Sequence, residues 1–245
     1  MPSLHFLANP ARFRRFAQRV LPALSVATAL AVAVGLYWAL VVAPPDYQQG
    51  ETVRIMFIHV PAATIAMGGY ILLAVLGASL LVWRHPLAAL MARATAPVGA
   101  TFTAVGLITG SLWGRPMWGT YWVWDARLTS FLLLFFLFLG HIALSRAYDD
   151  AERGDRSAAI LALVGAINVP VIKFSVDWWN TLHQPSSVFR LGGPTIAASL
   201  LYPLAVMAVG FTLLFVTLLL AAMRNEILRR RIRTLQLMQA AAQPG

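Results

Sequence analysis

Residues 20–43 run for 24 positions without a single charged side chain, and that run limits the fold more than any short motif can. About 20 apolar residues in a helix cross the hydrocarbon core of a bilayer. Inside lipid every backbone N–H and C=O has to be satisfied within the structure, which leaves helices or closed barrels. Comparable apolar stretches follow, and the spans read as about residues 20–43, 55–83, 94–112, 128–147, 158–176 and 196–223. The expected fold class is therefore all-α: a polytopic membrane protein, one six-transmembrane-helix bundle over residues 1–245. A composition of 59% hydrophobic and 11% charged residues excludes an ordinary soluble domain. The first run is also longer than the roughly 7 to 15 apolar residues of a cleaved signal peptide.

Charge orients the bundle. Fourteen Lys and Arg residues fall in the N-terminal segment, the connection 84–93, the segment 146–157 and the tail 224–245. Five fall on the other side: Arg54, Arg115, Arg127, Lys173 and Arg190. The positive-inside rule then places both termini in the cytoplasm and the loops 44–54, 113–127 and 177–195 in the periplasm or its equivalent. The net charge of +10 sits at the ends of apolar runs, so it implies no nucleic-acid partner. Span five is interrupted by Asn168, Pro170 and Lys173 and is expected to kink. The tail from Arg224 reads as a basic amphipathic helix lying along the membrane surface.

The chain contains no cysteine, so disulfides and thiolate ligands are excluded. Any bound iron would be held by His, Met or Tyr. The loop 113–127, WGRPMWGTYWVWDAR, holds four tryptophans and a tyrosine, and Gly114, Pro116 and Gly119 are expected to break any helix there and leave the rings displayed. It ends in Asp125 and Arg127. Asp125 reads as a partner of Arg127, as an acceptor for backbone amides, or as the N-cap of span four. His59 opens span two, the tryptophans follow span three and His183 follows span five. An even number of crossings separates each pair, so all three face one compartment. His59 and His183 each precede a proline by two residues (Pro61, Pro185). The other histidines read differently: His5 and His85 as solvated, His141 as a hydrogen-bonding partner between helices.

WGTYWVWD resembles the tryptophan-rich signature of heme-handling membrane proteins of cytochrome c maturation. FIHVPAA (residues 57–63) and WWNTLHQPSS (residues 178–187) resemble the CcmC family in particular, and the likeness covers nearly the whole chain. The resemblance implies an inner-membrane protein that binds heme b non-covalently at its periplasmic face. It would pass the heme to a chaperone, CcmE, working with the ATP-binding-cassette subunits CcmA and CcmB and the small protein CcmD. His59 and His183 would ligate the iron, with Met117 or Tyr121 next in line. Trp113, Trp118, Trp122 and Trp124 would pack on the macrocycle, while Arg127, Arg54 or Arg115 would meet the propionates and Asp125 would support them. No GxxxxGK[ST] loop is present, and no nucleophile–base pair stands out, so the chain is expected not to be an enzyme. Two other readings compete. A heme b electron-transfer subunit predicts paired histidines at mid-membrane depth, whereas only His141 is intramembrane. A permease predicts paired broken helices, and span five has no matching half.

Overall fold

The computed structural model describes residues 9–179, 181–183, 187–188 and 192–242. Three sequence-based readings, those on His5, Pro185 and Arg190, lie outside the described residues. Among the described residues seven α-helices form: α1 (Pro10–Tyr37), α2 (Met56–Trp83), α3 (Pro86–Trp118), α4 (Ala126–Leu144), α5 (Ala151–Gly165), α6 (Asn168–Trp178) and α7 (Ala198–Ala242). They supply six helical stretches long and apolar enough to cross a membrane, with α5 and α6 together making the fifth.

Local chemistry sets the boundaries. Asn9 accepts hydrogen bonds from the amides of Ala11 and Arg12 (2.9 and 3.3 Å), and Pro10 occupies the first turn of α1, where its missing N–H costs nothing. A π-helical turn, Trp38–Val42, ends that span before Pro44 and Pro45. Arg84, with φ +50°, closes α2. The His85 side chain accepts from the amide of Leu87 (3.3 Å) and so caps α3, a structural role in place of the solvated one expected of it. The connection 84–93 shrinks accordingly to Arg84 and His85, and the segment 148–157 is helical from Ala151, capped by Asp150.

α2 packs along α3, and α1 along α7. The core holds Phe57, Tyr70, Leu73, Leu134, Phe138 and Met207, all fully buried. Close approach is built on Gly99: a Cβ there would lie 2.3 Å from the Phe138 ring, which meets Tyr70 edge to face at 5.0 Å. At the end of the bundle remote from the tryptophans, Arg93 of α3 pairs with the buried Asp155 of α5 at 2.5 Å, and Arg230 of α7 reaches the same carboxylate at 3.6 Å. His141 is buried, but its Nδ1 makes no hydrogen bond among the described residues, so the interhelical bond expected of it is missing at that nitrogen.

One expectation holds and two change. Span five does break, between Gly165 and Asn168, and the Asn168 amide donates to the carbonyl of Ser130 (2.8 Å), a polar group satisfied inside the bundle. The tail is not a helix of its own but continues α7, one helix of 45 residues, since positions 224–242 contain neither Gly nor Pro and are rich in Arg, Leu, Gln and Ala. α3 overruns its expected end at residue 112 and reaches Trp118. Pro116 is tolerated in the last turn, and it is Gly119, at φ +77°, that stops the helix.

Candidate functional site

Because α3 continues through Trp113 and Trp118, those rings turn inward between helices. They help to wall a cavity of about 290 Å³ at the end of the bundle where α2 begins and α3 stops. Its lining brings together Gln49, His59, Trp113, Trp118, Trp122, Arg127 and His183, from segments far apart in the chain. The deeper wall is apolar, with Val60, Ala63, Leu107, Phe131 and Leu204. The volume lies near the lower end of small-molecule sites, and the mixture of apolar surface with a few polar groups is typical of them.

Each imidazole is fixed by one nitrogen. His59 Nδ1 lies 3.0 Å from the carbonyl of Gly106 and 3.2 Å from the Thr109 hydroxyl. A carbonyl only accepts, so Nδ1 carries the proton and the Nε2 lone pair is left for another partner. The His59 ring rests on the α3 backbone at Gly110, where a Cβ would lie 2.9 Å from Cε1, and meets Trp113 edge to face at 5.7 Å. His183 is arranged in a parallel way. Its Nδ1 faces Asp125 Oδ2 at 3.5 Å, and its ring meets Trp118 edge to face at 4.6 Å. Burial lowers the His183 pKa below the usual histidine value; nearby Arg127 adds to this and Asp125 opposes it.

Among the described residues Asp125 therefore makes two hydrogen bonds, and neither is to Arg127. One oxygen accepts from the amide of Leu128 at 2.7 Å, capping α4, and the other faces His183. Arg127 lines the cavity, with Nε donating to the carbonyl of Ile172 at 3.4 Å. Trp113 Nε1 donates to the Gln49 side chain at 3.1 Å, which ties the first loop to α3. Trp122 lines the cavity with a buried Nε1 that finds no acceptor among the described residues.

Other sequence-derived candidates stand elsewhere. Trp124 packs edge to face on Trp122 at 5.5 Å but is 77% exposed and does not line the cavity. Of the aromatic stretch, then, Trp124 and Tyr121 are displayed while the other rings are half-buried. Arg54 is not brought to the cavity: its guanidinium is taken up by Glu51 at 2.5 Å and by the carbonyls of Ala39 and Leu40 at the end of the first span. Arg115 closes its own helix by donating to the carbonyl of Gly119 and lies over the Tyr121 ring. Met117 lines the cavity; Tyr121 does not. Sequence reasoning passed over Gln49, Gly110 and, as a wall residue, Lys173. Only Lys173 carried a signal, being the one lysine in the chain.

Fold and site together define a class: an all-helical, multi-pass membrane protein with a part-apolar cavity at one end, faced by two imidazoles whose Nε2 atoms have no partner among the described residues. The model of the CcmC family, described as heme exporter protein C, matches residues 3–238, and the chain belongs to that family. It is 63% identical over 235 residues to heme exporter protein C of Bradyrhizobium diazoefficiens, covering 96% of this chain and 89% of that one. It is 48% identical over 226 residues to heme exporter protein C of Escherichia coli K12, covering 92% and 91%. A putative cytochrome c biosynthesis ccmC-like mitochondrial protein of Marchantia polymorpha is 46% identical over 179 residues, covering 73% and 75%.

Proposed function

We propose that this protein holds heme as cargo in the cavity and hands it on during c-type cytochrome maturation, as a transfer component and not as an enzyme. The observation that carries this reading is the pair of fixed imidazoles. His59 and His183 present Nε2 lone pairs from two different parts of the chain, each with Nδ1 held by an oxygen. A carbonyl or carboxylate on the far nitrogen is the arrangement that orients histidine toward a metal and strengthens it as a ligand. Non-covalent heme b takes two such ligands when it is six-coordinate, and it suits apolar walls for the macrocycle and cations for its propionates. Trp113, Trp118 and Trp122 supply aromatic surface and Arg127 supplies a cation. Asp125 acts through His183 and through the cap of α4. Trp124, exposed beside Trp122, would meet the acceptor. The names of the relatives point to the same cargo.

In this reading the cavity faces the periplasm, a CcmE-like chaperone receives the heme, and the subunits CcmA, CcmB and CcmD work alongside. An absorption spectrum of the purified protein tests it. Wild type should carry six-coordinate heme. His59→Ala and His183→Ala should each give a five-coordinate spectrum that added imidazole restores, and the double variant should lose nearly all heme. A single variant that kept an unchanged six-coordinate spectrum without imidazole would remove that histidine from the ligand set.

A further inference from the structure

Eighteen of the nineteen cationic side chains in this protein are arginine; the exception is Lys173. It lies on α6, within a stretch apolar enough to cross a membrane, and lines the cavity. A cation within a membrane-crossing stretch is costly and is found where it meets a partner, a ligand or a water-filled cavity. Lys173 has no ion pair or hydrogen bond among the described residues; the carboxylate one turn on, Asp177, is exposed and not within ion-pair distance. Its neighbours on the wall share its character. Arg127 leans on α6 through the carbonyl of Ile172, the residue just before Lys173. Trp122 Nε1 is buried without an acceptor among the described residues. An ammonium and an indole N–H only donate, and so does a guanidinium. Lys173, Trp122 and Arg127 thus add three donor side chains to the cavity lining, beside its apolar residues, Gln49 and the two imidazoles. Donors of this kind suit an anion with several acceptor oxygens.

We propose that Lys173 and the indole N–H of Trp122 form, beside Arg127, a subsite for a carboxylate of the cargo, so that the cavity selects a tetrapyrrole with free acids over the same ring with its acids esterified. The proposal rests on the heme reading above and adds the feature of the ligand that is recognised. A lysine suits the task because its single compact charge on a flexible stem can follow a carboxylate, whereas Arg127 is already oriented by the Ile172 carbonyl.

The test uses the purified full-length protein in detergent, titrated with hemin and with hemin dimethyl ester and followed by absorption. Wild type should bind hemin more tightly than the ester. Lys173→Met should weaken hemin binding about tenfold, the scale of one charge-assisted hydrogen bond, and leave the ester unchanged. Lys173→Arg should keep the preference for the diacid. A measurement on wild type needs no variant: Lys173 carries the only side-chain amine, so an amine-directed reagent read by peptide mass spectrometry should be blocked by hemin more strongly than by the ester. Equal loss of both porphyrins in Lys173→Met, or no loss of either, overturns the carboxylate subsite while leaving the histidine site intact. If wild type binds neither porphyrin, the reading of the cavity as a heme site falls, and the subsite with it.

Discussion

At Gly110 the helix that carries the tryptophans presents bare backbone to the His59 ring, and an added Cβ would come within 2.9 Å of Cε1. The ring cannot retreat without lengthening its contact with the Gly106 carbonyl, now 3.0 Å. Gly110→Ala is therefore expected to turn the imidazole out of line, at a cost of about 1 to 3 kcal/mol for overpacking. Purified heme should shift toward the five-coordinate spectrum expected of His59→Ala, with membrane yield little changed; a wild-type spectrum would refute the role given to this close approach. His59 was legible in the sequence because span parity put it on the same side as His183 and the tryptophans. Gly110 was not, since a glycine in an apolar run announces only that something may come close, never what. Arg54 shows the opposite error. Its side of the membrane followed from parity, but the carbonyls at the end of the first span that draw it away belong to a π-helical turn no pattern revealed.

Among the elements, α3, α5 and α7 meet through one carboxylate. Asp155 is buried and receives Arg93 at 2.5 Å and Arg230 at 3.6 Å. Removing one member leaves an uncompensated charge, which costs about 3 to 5 kcal/mol, whereas an apolar pair of similar volume can be neutral. Asp155→Leu alone should sharply lower the unfolding temperature in detergent, and adding Arg93→Met should recover much of the loss. If the double variant is as unstable as the sum of its parts, the pair is not what joins these helices. The sequence showed the elements themselves better than their ends. Long uncharged runs identify spans, yet α3 passes through Gly114 and Pro116 because tertiary packing of Trp113 and Trp118 outweighs two weak helix formers in the last turns. The break between α5 and α6 was visible in Asn168 and Pro170, while its consequence, Lys173 set beside Arg127, depended on how α6 lies against α4.

For the whole molecule, the fourteen-to-five division of positive charge gives a topology that reporter fusions can check. Alkaline phosphatase joined after Asp46, Gly119 or Gly193 should be active, and joined after Arg84, Asp149 or Ala242 inactive; the reverse pattern would turn the cavity toward the cytoplasm. The count of crossings and their order were plain from hydropathy. The course of the tail was not, because a basic amphipathic pattern fits a helix on a membrane surface and a helix standing clear of it equally well. That α7 is unbroken has a mechanical meaning. Leu204 lines the cavity and Arg230 reaches Asp155 at the far end of the bundle, and 26 residues of helix place them about 39 Å apart. A stiff rod with no joint between those points behaves as a lever: a tilt of about 5° around its midpoint moves the two ends by about 1.7 Å in opposite directions, from the same helical rise. A force on the exposed length of α7 would, for such a lever, bear on the wall of the cavity in the same stroke.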